Sequence, residues 1–173
     1  MKRKSLLMLI AFLAILGAGY WYLQKNTSKH VVDDEALINA SKDGSSWITY
    51  GLNYSENRFS PLKQIDTGNV KDIGLAWMFD FAEMKGIEAT PLVSNGIMYV
   101  TGPWSKVYAL NALNGEKIWE YDPQVPKEYL ERTCCDAVNR GVALYKGKVF
   151  VASLDGRLIA LDANTGSKVW ETL

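Results

Sequence analysis

Cysteine and histidine are nearly absent from this chain. Its only cysteines are the adjacent pair Cys134 and Cys135, and His30 is its single histidine. Neighbouring cysteines cannot staple distant segments, so they either bind something together or close a small ring on each other. A soft metal site is poorly supplied, because no further cysteine completes a ligand set and His30 stands far away in the sequence. An excess of positive charge is missing too. The formal net charge is +0, and Lys2, Arg3, Lys4 and Lys25 are four of the nineteen basic residues, which leaves fifteen against nineteen acids in the rest. That balance excludes nucleic acid as a partner, since binding to phosphates needs clustered Lys and Arg. Disorder is excluded for most of the chain by its 48% hydrophobic and 22% charged content, and 173 residues suit about one domain.

Charge is also absent from Leu6 to Leu23, directly after Lys2-Arg-Lys4 and before Lys25. A positive start followed by an apolar run marks residues 1–25 as a signal peptide or an N-terminal membrane anchor. Gly17-Ala-Gly19 offers a small-residue cleavage site, whereas Tyr20-Trp-Tyr22 resembles an interfacial aromatic belt. On either reading the basic start stays cytoplasmic and the remainder is translocated, to the periplasm or beyond, or anchored to the membrane through residues 6–23. An oxidising compartment permits a disulfide. Residues 26–45 read as a polar linker with one short helix over 33–41, its first turn acidic.

The rest, 46–173, contains an internal repeat. Residues 90–120 align without a gap onto 141–171, with identities that include Gly115/Gly166, Lys117/Lys168, Trp119/Trp170 and Glu120/Glu171. Within each copy, short runs of Val, Ile, Tyr and Leu alternate with turns such as Ser94-Asn-Gly96 and Asn164-Thr-Gly166. The pattern predicts strands at 88–93, 97–101, 106–111 and 117–121, and again at 141–145, 148–153, 157–162 and 168–172.

A four-stranded meander repeated at this spacing is the sign of a β-propeller, because one such sheet cannot bury both faces alone. The fold class is therefore all-β, with blades at about 88–122 and 141–173 and an apolar N-terminal helix before them. Trp119 and Trp170 are expected to pack between blades. Ile73 to Phe81, with Trp77 at the equivalent place, reads as one outer strand of a third blade whose sister strands are not in this sequence. Two blades and a stray strand fall short of the four or more that close a ring, so the chain is expected to be a fragment.

Four motifs carry a more specific signal. They are Trp47-Ile-Thr-Tyr-Gly-Leu-Asn-Tyr-Ser-Glu-Asn-Arg-Phe-Ser-Pro-Leu62, Gly86-Ile-Glu-Ala-Thr-Pro91, Trp104-Ser-Lys-Val-Tyr-Ala-Leu110 and Thr133-Cys-Cys-Asp-Ala-Val-Asn-Arg-Gly141. In order and spacing they closely resemble the start of the pyrroloquinoline quinone (PQQ) dependent alcohol dehydrogenases. The resemblance runs from about residue 42 to the end. It implies an eight-bladed propeller with the quinone on its axis.

By that resemblance Cys134 and Cys135 form a vicinal disulfide lying over one face of the quinone. Arg140 would pair with a carboxylate of PQQ through charge-assisted bonds. Glu88 would approach the polar edge of the quinone, accepting from a ring N–H or balancing Arg140. Trp104, Lys106 and Asp136 lie in the motifs without an implied cofactor contact; Trp104 is read as packing between blades and Asp136 as capping the turn after the cysteines. The family's calcium ligands, its catalytic aspartate and the tryptophan on the other quinone face would all come from blades beyond residue 173. No catalytic residue and no metal ligand is therefore expected within this chain.

The implied function is oxidation of a primary alcohol to an aldehyde, with electrons passed to a cytochrome and this portion inactive alone. Adjacent cysteines favour the alcohol-oxidising branch of the family over the glucose-oxidising one. The alternative is a non-catalytic propeller scaffold of the cell envelope. Such scaffolds are typically lipid-anchored through an N-terminal cysteine, which this chain does not have.

Overall fold

The computed structural model describes residues 31–173 except Asp43 and Met84. The apolar run expected to be a signal or anchor lies outside the described residues. Among the described residues no helix is long and apolar enough to cross a membrane.

Two four-stranded antiparallel sheets form the body, each with its strands in sequence order. The first comprises β1 (Leu92–Ser94), β2 (Ile97–Thr101), β3 (Val107–Asn111) and β4 (Lys117–Tyr121). The second comprises β5 (Ala143–Tyr145), β6 (Lys148–Ala152), β7 (Leu158–Asp162) and β8 (Lys168–Thr172). Each first hairpin closes through two residues, pairing Ser94 with Ile97 and Tyr145 with Lys148. Asn95 and Gly96, like Lys146 and Gly147, have positive φ, as the twist of a two-residue hairpin demands. The repeat extends to irregularities: the register slips between Ala109 and Leu110 in one sheet and between Ala160 and Leu161 in the other.

β4 and β8 match the predicted ranges residue for residue, whereas β1 and β5 are shorter than predicted. Residues 88–91 do not join the first ladder. Pro91 has no N–H to give, and Thr90 donates its N–H to the Arg140 carbonyl at 3.3 Å, outside its own sheet.

Tryptophan joins the two sheets. Trp119 at the centre of β4 is 8% exposed, and its Nε1 donates to the Ala163 carbonyl in the turn after β7 at 3.1 Å. The turn accommodates the indole only because residue 166 is glycine: a β-carbon there would lie 2.6 Å from the Trp119 ring, and the φ of +72° is left-handed. Tyr99 donates to the same Ala163 carbonyl at 3.1 Å. Burial, with the Asp162 charge second, pushes its hydroxyl up to about 12, so the donor persists at any physiological pH.

The same contact occurs one repeat earlier. Trp77 Nε1 donates to the Ala112 carbonyl at 3.2 Å, and a β-carbon on Gly115 would meet the Trp77 ring at 2.5 Å. Among the described residues the segment that carries Trp77 has no partner strand, yet over 77–81 it keeps a period of two. Trp77, Phe79 and Phe81 pack on Val100, Tyr108 and Leu110, while Met78 and Asp80 between them stay exposed. Trp170, third in the series, is 40% exposed.

The polar stretch before the sheets is also attached to them. A short helix α1 (Asp34–Asn39) is capped by Asp33, whose carboxylate accepts from Ala36 N–H at 2.9 Å, with Asp34 and Glu35 in its first turn. Val32 and Ala40 on either side join the main hydrophobic core. The Val32 carbonyl accepts from Lys146 N–H at 2.7 Å, and Tyr145 donates its hydroxyl to Asp34 at 3.0 Å. Trp47 pairs with Val93 through two 2.8 Å backbone bonds, covering the outer edge of β1.

Candidate functional site

The connection from β4 to β5 positions the chemistry. It begins with a 3-10 segment, Lys127–Arg132, closed by the Thr133 hydroxyl donating to the Leu130 carbonyl at 2.8 Å. Cys134 and Cys135 follow and are bonded to each other, both exposed. Asp136 then takes a left-handed φ of 76°, which an aspartate tolerates better than most side chains and which reverses the chain.

Beyond the reversal the loop is held between the two sheets. Ala137 is fully buried, and its carbonyl accepts from Trp104 N–H at 2.9 Å. Asn139 donates its side-chain N–H groups to Ser105 Oγ at 3.2 Å and the Ala152 carbonyl at 2.9 Å, and its Oδ1 accepts from Gly141 N–H at 3.0 Å. The buried Ser105 hydroxyl in turn accepts from Leu154 N–H at 3.1 Å. The loop's middle is thus fixed by both sheets, and its two ends, the disulfide ring and Arg140, remain at the surface.

Arg140 meets the residue the sequence paired with it. Its Nη2 lies 2.9 Å from Glu88 Oε2, with the guanidinium side chain 68% exposed and the carboxylate side chain 42% exposed. So exposed a pair adds little to folding, about 0–1 kcal/mol at most. Its value is that a cation is held in one place with most of its surface accessible.

Asp136 differs from the sequence expectation. Its role is not confined to capping its own turn, because its Oδ1 reaches Lys85 Nζ at 2.9 Å, 51 positions earlier. The Lys85 bond, then the amide of Ala137, holds its carboxyl below the ordinary range. Lys106 belongs to the support rather than to the surface of the loop. It lies 3.1 Å from Glu83 and 3.5 Å from Asp122, and its hydrogen bond to Glu83 is the largest cause raising its pKa. Trp104 enters through its backbone, its φ of 62° turning the chain toward Ala137.

Lys85, Ser105 and Asn139 escaped the sequence reading. Ser105 and Asn139 did leave a trace, as small polar residues inside two quoted motifs. Lys85 left none, because Phe81 to Gly86 has no periodicity to place it. Among the described residues no group of three or more His, Cys, Asp and Glu is arranged to hold a metal ion.

Residues 47–171 match the β-propeller domain of the PQQ glucose, ethanol and alcohol dehydrogenases. The chain belongs to this PQQ-dependent alcohol dehydrogenase family. Over 170 residues it is 48% identical to quinohemoprotein alcohol dehydrogenase ADH IIB of Pseudomonas putida, covering 97% of this chain and 23% of that one. Over 128 residues it is 54% identical to 1-butanol dehydrogenase (cytochrome c) of Thauera butanivorans, covering 74% of this chain and 18% of the relative. The crystal structure of quinohemoprotein alcohol dehydrogenase from Comamonas testosteroni superposes with a TM-score of 0.77 at 50% identity, over 83% of this chain and 21% of that one. The PQQ-dependent family resemblance read from the four motifs is thereby shown, as is its propeller fold. The chain spans 23% or less of the length of these relatives.

Proposed function

We propose that the protein serves PQQ-dependent oxidation of a primary alcohol to an aldehyde, and that the disulfide loop is one wall of the quinone site. The observation that carries this reading is the joint display of three groups on one rigid support: the exposed Cys134–Cys135 ring, Arg140 and Glu88. Their chemistry suits PQQ, a flat quinone that carries carboxylates. Two bonded sulfurs present a polarizable surface for stacking against a ring. A guanidinium with most of its surface accessible can fork onto a carboxylate, which a lysine cannot. Glu88 keeps that fork oriented and can accept from a ring N–H.

Bound PQQ would supply the two-electron acceptor for the alcohol. This chain's residues bind and orient it: the ring excludes water from one face, and Arg140 sets the in-plane direction. In the same reading a calcium ion would supply Lewis-acid chemistry to the quinone, and the described residues are assigned no part in holding it. Electrons leave to a cytochrome, in keeping with the name of the Thauera relative. Residues 1–25 direct the protein across the inner membrane, which places the site in the periplasm or on its membrane surface. Residues 31–173 alone are not expected to turn over substrate.

The test uses the complete reading frame that contains these residues, incubated with PQQ and a calcium salt. Reduction of an artificial electron acceptor should depend on both the quinone and a primary alcohol. Quinone binding without alcohol-dependent reduction overturns the reading.

A further inference from the structure

The disulfide loop is tied to the Glu88 segment in a regular register. Lys85 meets Asp136 at 2.9 Å and Glu88 meets Arg140 at 2.9 Å. Between them, a β-carbon on Gly86 would touch Val138 at 3.3 Å, and beyond them Thr90 N–H donates to the Arg140 carbonyl at 3.3 Å. Residues 85–90 and 136–140 therefore run side by side in the same direction, and the charges complement: plus then minus on one segment, minus then plus on the other. The first segment is fastened behind as well, through Glu83 to Lys106.

The geometry points to Lys85 and Asp136 as positioning residues, a latch that holds the disulfide ring in fixed register with the Glu88–Arg140 pair. This rests on the reading of the loop as a quinone wall. Asp136 immediately follows the ring and adopts a left-handed φ, so an ion pair at its carboxylate anchors the backbone at the point where it leaves the ring. That carboxylate accepts from the Lys85 ammonium and the Gly86 amide across the seam, and from the Ala137 amide on its own side. Among the described residues Lys85 supplies the one side-chain ion pair made by the residue next to the ring; apart from the Gly86 amide, the other ties to this loop act further along, at Ala137 to Arg140. Neither residue is catalytic, since each acts through the position of its neighbours.

Hydrogen exchange and PQQ affinity, measured together on the complete protein, test the latch. Lys85→Met and Asp136→Asn should each speed exchange about fivefold in peptides covering 85–90 and 133–141, with the β2–β4 and β6–β8 peptides unchanged. PQQ affinity should fall by a similar factor. Lys85→Arg should behave as the parent, and the exchanged pair Lys85→Asp with Asp136→Lys should recover most of the loss. Unchanged loop exchange, or acceleration spread equally over the sheets, overturns the latch. So does loosening of the loop with undiminished quinone affinity. A parent protein that fails to bind PQQ instead sinks the quinone reading, and the exchange data then judge the latch by themselves.

Discussion

Replacing Trp119 with alanine should destabilise the protein by about 3–5 kcal/mol, the range for removing a large buried aromatic side chain. The indole is 8% exposed, donates to the Ala163 carbonyl and fills the space that glycine at position 166 leaves open. Urea unfolding would measure the loss as a lower midpoint. Trp119→Phe should recover part of it, restoring apolar contact but leaving that carbonyl with Tyr99 as its sole donor of the two. Gly166→Ala should be harmful from the other side of the contact, by overpacking at a left-handed position. Trp170→Ala supplies the control: the same residue in the same repeat position, 40% exposed, should cost about 1 kcal/mol or less in this chain. Equal losses at Trp119 and Trp170 would show that the sheets are not held together by tryptophan docking.

The sheets were legible because each local signal agreed with the others. Alternating apolar residues, turns such as Ser94-Asn-Gly96 and a repeat of constant spacing all specify the same strands, and β4 and β8 end where the pattern ends. The starts of β1 and β5 were not legible, because partners outside the sheet decide them: Thr90 bonds to Arg140 rather than to β2. The site divides in the same way. Cys134, Cys135, Glu88 and Arg140 announced themselves through compact motifs, and the structure joins the last two in one ion pair. Lys85 stands in an irregular loop, and its partner Asp136 is far along the chain, so only the folded arrangement reveals the pair. The role of residues 32–40 was hidden for a similar reason. A polar composition describes most of that segment, but Val32 and Ala40 are core residues, and α1 is fixed to the β5–β6 hairpin through Tyr145.

Arg140→Ala should have the largest effect on cofactor binding, weakening PQQ affinity by about 100-fold. That factor corresponds to about 2.7 kcal/mol, near the upper end for hydrogen bonds made with a charged group. The loss combines the missing guanidinium bonds with an unbalanced Glu88 carboxylate facing an anionic ligand. Arg140→Lys should retain the charge without the fork and lose about tenfold. Because the Arg140–Glu88 pair is exposed, both variants should keep the parent's unfolding midpoint. Isothermal titration of the complete protein with PQQ separates the two effects from any change in fold. An Arg140→Ala variant with the parent's affinity would remove Arg140 from the site.

The most direct test of the quinone wall is the position of PQQ in a crystal of the complete protein. The account predicts one face of the quinone in van der Waals contact with the sulfurs of Cys134 and Cys135, and a carboxylate on the Arg140 guanidinium. Quinone bound elsewhere, with the disulfide loop facing open solvent, would contradict it.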